Sequence, residues 1–234
     1  MCEVMPYSGG LTRNIVQCLE DFGIPLYLST TVVCIHGEKR LEGVTVAQVD
    51  EKRQPISGTQ RYIPCDTLLL SVGLIPENEL TRLANIPIDP VTNGAVVDEN
   101  CQTQVPGIFA CGNVLQVHDL VDYVSEEAER AGRAAAKLTA ERAAEDAGLE
   151  TKPGYGVRYV IPQVIGSREN GADLFLRVTQ PFGKVRFVVT DGEKTLLTAK
   201  RLKAAPGEME KLTLKPEVLK SAQGTITVSL EVME

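Results

Sequence analysis

The sequence predicts an α/β region followed by a small all-β, sandwich-like domain. Three observations carry that reading. Two apolar runs, "CDTLLLSVG" (65–73) and "GIFACGN" (107–113), each meet a glycine at their end, the pattern of strands buried on both faces of a parallel sheet. A long helical stripe follows the second run, in which Val121, Val124, Ala128, Ala131, Ala135 and Leu138 step by three and four. From Gly154 onward the period changes to the two-residue alternation of strands, with no strong helix among them.

Taken in order, Leu11, Ile15, Leu19 and Phe22 recur at helical spacing, and Gly23 stops that helix. "IPLYLS" reads as a short strand, and "TVVCIHGEKRLEGVTVAQVD" as two strands joined by a Gly-Glu-Lys turn, before the polar loop "EKRQPISGTQ". Between the two buried runs lies a connecting region with Pro76, Pro87 and Pro90, a short helix and a small strand at Ala95–Val97. Asp119 or Asp122 can cap the long helix, and Gly148 with Pro153 marks its end. Its small residues let it lie close to a sheet, and "EEAERAGR" has the mixed charge of a solvated face. Further on, "DLFLRVTQ", "KVRFVVT", "TLLTAKRL" and "GTITVSLEV" alternate as strands. Ile226, Val228, Leu230 and Val232 share one face, and Asp191-Gly192 marks a hairpin of two residues or more. The boundary falls in "GLETKPGYG", giving 1–150 and 151–234 as the two domains.

Composition bounds the function. A net charge of −7 and a pI near 5.1 argue against nucleic acid as a partner. No apolar run is long enough to insert in a membrane, and the start lacks a secretory pattern, so the expected compartment is the cytoplasm. The six cysteines form no Cys-x-x-Cys pair and there are two histidines, so neither a redox dithiol nor a metal site is expected. Most of the cysteines read as small packing residues.

The corner after the second buried run is the candidate site. Ligands in open α/β sheets bind beyond the carboxyl ends of strands, beside helix N-termini whose free N–H groups favour negative charge. Gly112 allows close approach of a ligand and Asn113 projects an amide there. "TQVPGIFACGNV" resembles the second flavin motif of the pyridine nucleotide–disulfide oxidoreductase superfamily, with Thr103, Gly107, Ile108, Phe109, Ala110 and Gly112 matching and Asn113 in the place of an aspartate. "CDTLLLSVGLIPENEL" is similar to the last strand of that family's NAD(P) unit, with Asp66, Gly73 and Pro76 in the matching places. The resemblance covers about residues 1–148 and implies a partial Rossmann-type FAD/NAD(P)-binding region. Residues 1–88 are then the remainder of the NAD(P) unit, and 89–150 the returning segment of the FAD unit. "HDLVDY" and the β-rich tail resemble a subgroup of FAD-dependent oxidoreductases akin to those associated with anaerobic glycerol-3-phosphate dehydrogenases or opine oxidases.

The resemblance implies that Asn113 binds a ribitol hydroxyl of FAD and that backbone N–H groups near Tyr123 and Val124 face the flavin ring. It places Gly73 near the nicotinamide nucleotide, and Glu3 at an acidic position that binds a ribose. His118, beside Asp119, is either a flavin-proximal base or a polar residue of the turn. Cys111 stands at a variable position of the motif and reads as packing. The paired cysteines of disulfide reduction are missing, and so is the Gly-x-Gly-x-x-Gly loop of either nucleotide unit. Two readings stay open. One is an incomplete part of an oxidoreductase that passes electrons between NAD(P)H and an acceptor through FAD. The other is a non-catalytic assembly or docking module. Either way the expected partner is a missing N-terminal segment or an oxidoreductase subunit, with self-association through an unpaired sheet edge.

Overall fold

The computed structural model describes residues 1–138 and 148–233. The chain divides into two compact units, Met1–Gly73 and Leu74–Glu234.

The first unit is built on an antiparallel meander. After a helical segment (α1, Thr12–Ile15, running into a wider-turned stretch Val16–Glu20) come β1 (Thr30–His36), β2 (Gly43–Gln48) and β3 (Arg61–Pro64), paired in that order. Valines and threonines alternate through β2 and bury Val44 and Val46 on one face. "IPLYLS" forms no strand. It keeps a single parallel bridge, Tyr27 to Cys2, with the Glu3 amide donating to the Tyr27 carbonyl at 2.9 Å. Of the expected helical stripe only Leu19 is buried, and Phe22 is 75% exposed, because no described element covers that face.

The run 65–73 departs furthest from expectation. It forms no strand, and Leu69 and Val72 are 88% and 89% exposed. An apolar sequence becomes a central strand only when ladders on both sides satisfy its backbone, and no described strand lies beside this one.

The second unit opens with α2 (Glu79–Leu83), an irregular segment of isolated bridges, and a 3-10 turn at Gly112–Val114. "GIFACGN" contributes one bridge, Phe109 to Gln102, rather than a strand of a parallel sheet. Then follows α3 (Val121–Lys137). The expected apolar stripe is rotated: Val121 is 75% exposed and Ala128 and Ala135 face solvent, while Glu127, Ala131 and Ala134 are buried. The buried line steps 127, 131, 134, and it passes through a carboxylate, so apolarity alone misplaced it by one position. "EEAERAGR" is therefore not wholly a solvated face. Neither aspartate caps the helix, whose N-cap is Leu120 with no side-chain hydrogen bond. The stop at Gly148 lies past residues 139–147, which fall outside the described residues.

The rest is a β-sandwich. Its strands are β4 (Leu149–Pro153), β5 (Val157–Ile161), β6 (Val164–Ile165), β7 (Ala172–Val178), β8 (Val185–Asp191), β9 (Lys194–Arg201), β10 (Glu210–Leu214) and, after a short helix α4 (Pro216–Lys220), β11 (Ile226–Val232). One sheet runs β10-β7-β5 and the other β6-β4-β11-β8-β9. The facing side chains of both sheets, among them Leu174, Leu176, Leu212, Phe187, Val189, Ile226 and Val228, form one buried cluster. Val232, expected on that face, is 63% exposed at the strand end. The Asp191-Gly192 hairpin turns in two residues, with Asp191 opposite Lys194.

The sandwich strands begin at Leu149, five residues before the change of period read at Gly154, and the compact unit begins at Leu74. A register shift in β5 between Val157 and Tyr159 turns the strand, so that Val157 and Val160 enter the sandwich core while Tyr159 and Ile161 point the other way. Ile86, Ala95, Val97, Ala110 and Leu115 pack against that second pair. Burial of this kind is worth about 25 cal/mol per Å² of apolar surface, enough to fasten the segment before α3 to the sandwich.

Candidate functional site

The corner between residues 110 and 127 lies wholly in the second unit and brings together Gly112, Asn113, His118, Tyr123 and Val124. Glu3 and Gly73 belong to the first unit. Glu3 is half-buried and its carboxylate accepts the Met5 N–H at 2.9 Å. Gly73 has φ +97° with open space around it.

Gly112 sits at φ +76°, in the left-handed region where a side chain is strained. Room is not the constraint, since an added Cβ would meet only the Val124 side chain at 3.5 Å. Gly94 is the opposite case: a Cβ there would overlap the Leu115 carbonyl, so that glycine lets two backbone segments cross beneath the corner. The buried Asn78 amide ties the same crossing, donating to the carbonyls of Asn93 (2.7 Å) and Val114 (2.8 Å). Asn113 is exposed, and its side-chain oxygen accepts the His118 N–H at 3.1 Å.

Beneath the turn lies a buried carboxylate that sequence reasoning missed. The Glu127 side chain is 2% accessible, and so is that of His118. Glu127 accepts from the Gly112 N–H (2.5 Å), the Gln116 amide (3.2 Å) and the His118 ring Nε2 (3.0 Å). A buried carboxylate is tolerated when donors surround it, and this one has three. A helical line of Val124, Glu127, Ala131, Ala134 and Leu138 was the available signal: one acid in a stripe of small apolar residues.

The sandwich holds the loop from the other side. Arg177 on β7 donates to the Val117 carbonyl at 3.1 Å, to the Pro206 carbonyl at 2.9 Å and to the Tyr159 hydroxyl at 3.2 Å, and lies 3.6 Å from the Asp119 carboxylate. Asp119, rather than capping α3, accepts the Met209 N–H at 3.2 Å. Tyr123 packs edge-on to Phe175 at 6.4 Å.

Of the six cysteines, most of which the sequence reads as packing residues, only Cys101 is buried, while Cys18 and Cys34 are exposed. Burial, reinforced by Glu127, pushes the Cys101 thiol up to about 12 and raises that of Cys111 as well. A thiol so raised is a poor nucleophile. Among the described residues no cluster of histidine, cysteine and acidic side chains could hold a metal, and no helix is long and apolar enough to cross a membrane.

With an uncapped helix N-terminus and an exposed amide on one corner, the arrangement suits an electron-rich oxygen at the first turn of α3 and a hydroxyl at Asn113. Comparison with known proteins agrees with the motif. The chain is 34% identical over 113 residues to the mitochondrial dihydrolipoyl dehydrogenase of Caenorhabditis elegans, covering 48% of this chain and 22% of that one. It is 31% identical over 114 residues to an NADH oxidase of Streptococcus pneumoniae, with the same two coverages. The chain thus spans about a fifth of the length of these relatives. Among solved structures, a thioredoxin reductase from Streptococcus pyogenes aligns with 47% of this chain and 34% of that one at 21% identity, but its TM-score of 0.30 is too low to support the fold. A family model for pyridine nucleotide-disulphide oxidoreductases matches residues 3–137, more than half of the 234. The chain belongs to the pyridine nucleotide-disulphide oxidoreductase family.

Proposed function

We propose that this chain supplies the flavin-facing corner of a FAD-dependent oxidoreductase that passes electrons between NAD(P)H and an acceptor. The observation that carries the reading is that the family match includes Gly107–Asn113, where the structure places an uncapped helix N-terminus beside an exposed amide. FAD, when bound, supplies the hydride and electron transfer. The residues do the rest. Asn113 keeps an acceptor and a donor for a ribitol hydroxyl, without the charge of an aspartate. The N–H groups at the start of α3, towards Tyr123 and Val124, favour the negative charge of the reduced ring. In the first unit, Gly73 offers open backbone to a nicotinamide nucleotide and Glu3 a carboxylate to its ribose. The six free cysteines suit a reducing compartment, the cytoplasm.

The glycine-rich loops that cradle pyrophosphate come, in this reading, from a further segment or a partner subunit. Without them the site makes hydrogen bonds contributing about 0.5–1.5 kcal/mol each, against an association cost of at least about 4 kcal/mol. The 234-residue chain alone is then colourless, does not oxidise NAD(P)H, and self-associates through exposed apolar stretches such as Leu69–Val72. Adding a segment that carries the loops, fused or in trans, restores a yellow protein, and Asn113→Leu weakens its flavin retention. Stoichiometric FAD on the chain alone refutes the need for another segment, and indifference to Asn113→Leu removes that residue from the site. The absent loops also favour a second reading, an assembly module that keeps the nucleotide fold as scaffold. That reading gains if the completed protein docks a partner subunit yet stays colourless.

A further inference from the structure

We infer that Glu127 is the positioning residue of this corner, and that it holds His118 as the tautomer protonated on Nε2, leaving Nδ1 as a buried acceptor for an N–H or O–H of the bound group. The inference rests on the corner being the cofactor end of the site. It begins with donor arithmetic. A carboxylate only accepts, so the ring nitrogen 3.0 Å from Glu127 must carry the proton, and in a neutral imidazole the other nitrogen is then an acceptor. That nitrogen, Nδ1, is buried and has no hydrogen-bond partner. The ring is held by its hydrogen bond to Glu127, and the loop that carries it is pinned. The His118 backbone N–H is held by Asn113, the carbonyl before it by Arg177, and the residue after it by Met209.

Among the described residues, three buried side-chain atoms lack a hydrogen bond: Gln116 Oε1, His118 Nδ1 and Asp119 Oδ1. All three lie on one loop of four residues. Asp119 Oδ1 is 3.6 Å from the Arg177 guanidinium and is compensated by charge. The other two belong to side chains whose remaining polar atoms both bind Glu127. Buried polar atoms in folded proteins are almost always paired, so two orphans flanking one carboxylate mark a face that a ligand completes. Glu127 also explains how the corner keeps a negative charge although Asn113 has none: the carboxylate stands beneath the turn, bonded to the Gly112 N–H.

The chain has two histidines, which makes the test direct. Long-range proton–nitrogen NMR at a pH of about 8, where an ordinary imidazole is neutral, reads the tautomer of each, with a His36→Asn variant for assignment. The expected result is Nε2–H for His118 in the unmodified chain. Glu127 Oε2 faces both the Gly112 N–H and the ring. Glu127→Gln, whose amide oxygen takes that place, should therefore leave the proton on Nε2, whereas Glu127→Leu removes the acceptor and should leave a mixture of tautomers. Glu127→Asp, which keeps the carboxylate, should keep the proton on Nε2. Nδ1–H in the unmodified chain overturns the inference, and that measurement needs no variant to fold. The same fixed tautomer in the unmodified chain and in a folded Glu127→Leu variant overturns it too. In the yellow reconstituted protein the His118 Nδ1 resonance should shift on cofactor binding, and an unmoved resonance removes the acceptor role. Failure to become yellow refutes the flavin reading instead, through colour rather than tautomer.

Discussion

Two apolar stretches of this chain have similar composition and opposite fates. "TLLLSV" at 67–72 runs outside any strand with Leu69 and Leu70 in solvent, whereas "DLFLRV" at 173–178 forms all but the first residue of β7, paired to β10 on one side and β5 on the other, with Leu174, Phe175 and Leu176 buried. Both have the residues of a strand. Only the second has neighbours to take its backbone groups and an opposing sheet to cover its side chains. Strand propensity describes what fits a pleated, half-covered surface, and it cannot provide that surface.

The comparison can be broken most directly by truncation. Phe187→Ala in the sandwich core, where the ring is fully buried, should cost about 3–5 kcal/mol. Leu69→Ala, 88% exposed, should stay within about 0.5 kcal/mol in the same denaturant titration. Equal losses would mean that residues 65–73 are packed in solution.

Thiol reactivity sharpens the same contrast. Cys34 is exposed on β1, while Cys101 is buried in the second unit and its thiol is pushed up to about 12. Three pH units above an ordinary thiol leave about a thousandfold less thiolate at neutral pH. Alkylation followed by mass spectrometry should therefore label Cys34 and the likewise exposed Cys18 first, and Cys101 only on unfolding. Early labelling of Cys101 would show that the corner opens readily.

Removing the carboxylate tests the second unit's corner in the same denaturant titration. Glu127→Leu leaves three buried donors without an acceptor, at about 1–3 kcal/mol for each that finds no water. Glu127→Gln should cost less. A Leu variant as stable as the parent would show that the cluster is dispensable for folding.

The smallest effect concerns pH. Glu99, with its carboxylate held by the Gly166 and Ser167 N–H groups, is raised above 4.5 by burial first and by Asp98 second. A carboxyl raised in the folded state binds its proton more tightly there than in the unfolded chain. Its contribution to stability therefore falls as pH rises from 4.5 through the folded value, and recovers on acidification through that window. Glu99→Gln should flatten this slope in thermal melts taken between pH 4.5 and neutrality. An unchanged slope would remove Glu99 from the account.

Much of this was legible in the residues. Alternation placed β7, β8, β9 and β11 because one face of each meets a continuous core, and Asp191-Gly192 set a hairpin because glycine accepts the turn at no steric cost. The motif at 107–113 was legible, and with it the family. The corner's support was not, for a physical reason: Glu127 looks like any helix-surface acid until the turn folds back and delivers Gly112, Gln116 and His118 to it. The missed strands β3, β4, β5, β6 and β10 are each five residues or fewer, too short to show a two-residue period.

The sequence by itself determined the two-residue periods of β7, β8, β9 and β11, the turn at Asp191-Gly192 and, through its motifs, the family, since these depend on residues a few positions apart. Tertiary structure alone decided three things: which face of α3 is buried, that residues 65–73 are not a strand, and that the compact unit begins at Leu74 rather than near 150. Each of these depends on a partner far along the chain. Donors from residues 112–118 bury Glu127, no described strand pairs with 65–73, and Tyr159 and Ile161 bind the segment before α3 to the sandwich. Burial is a property of the pair of surfaces that meet, and a sequence read along its length shows one of them at a time.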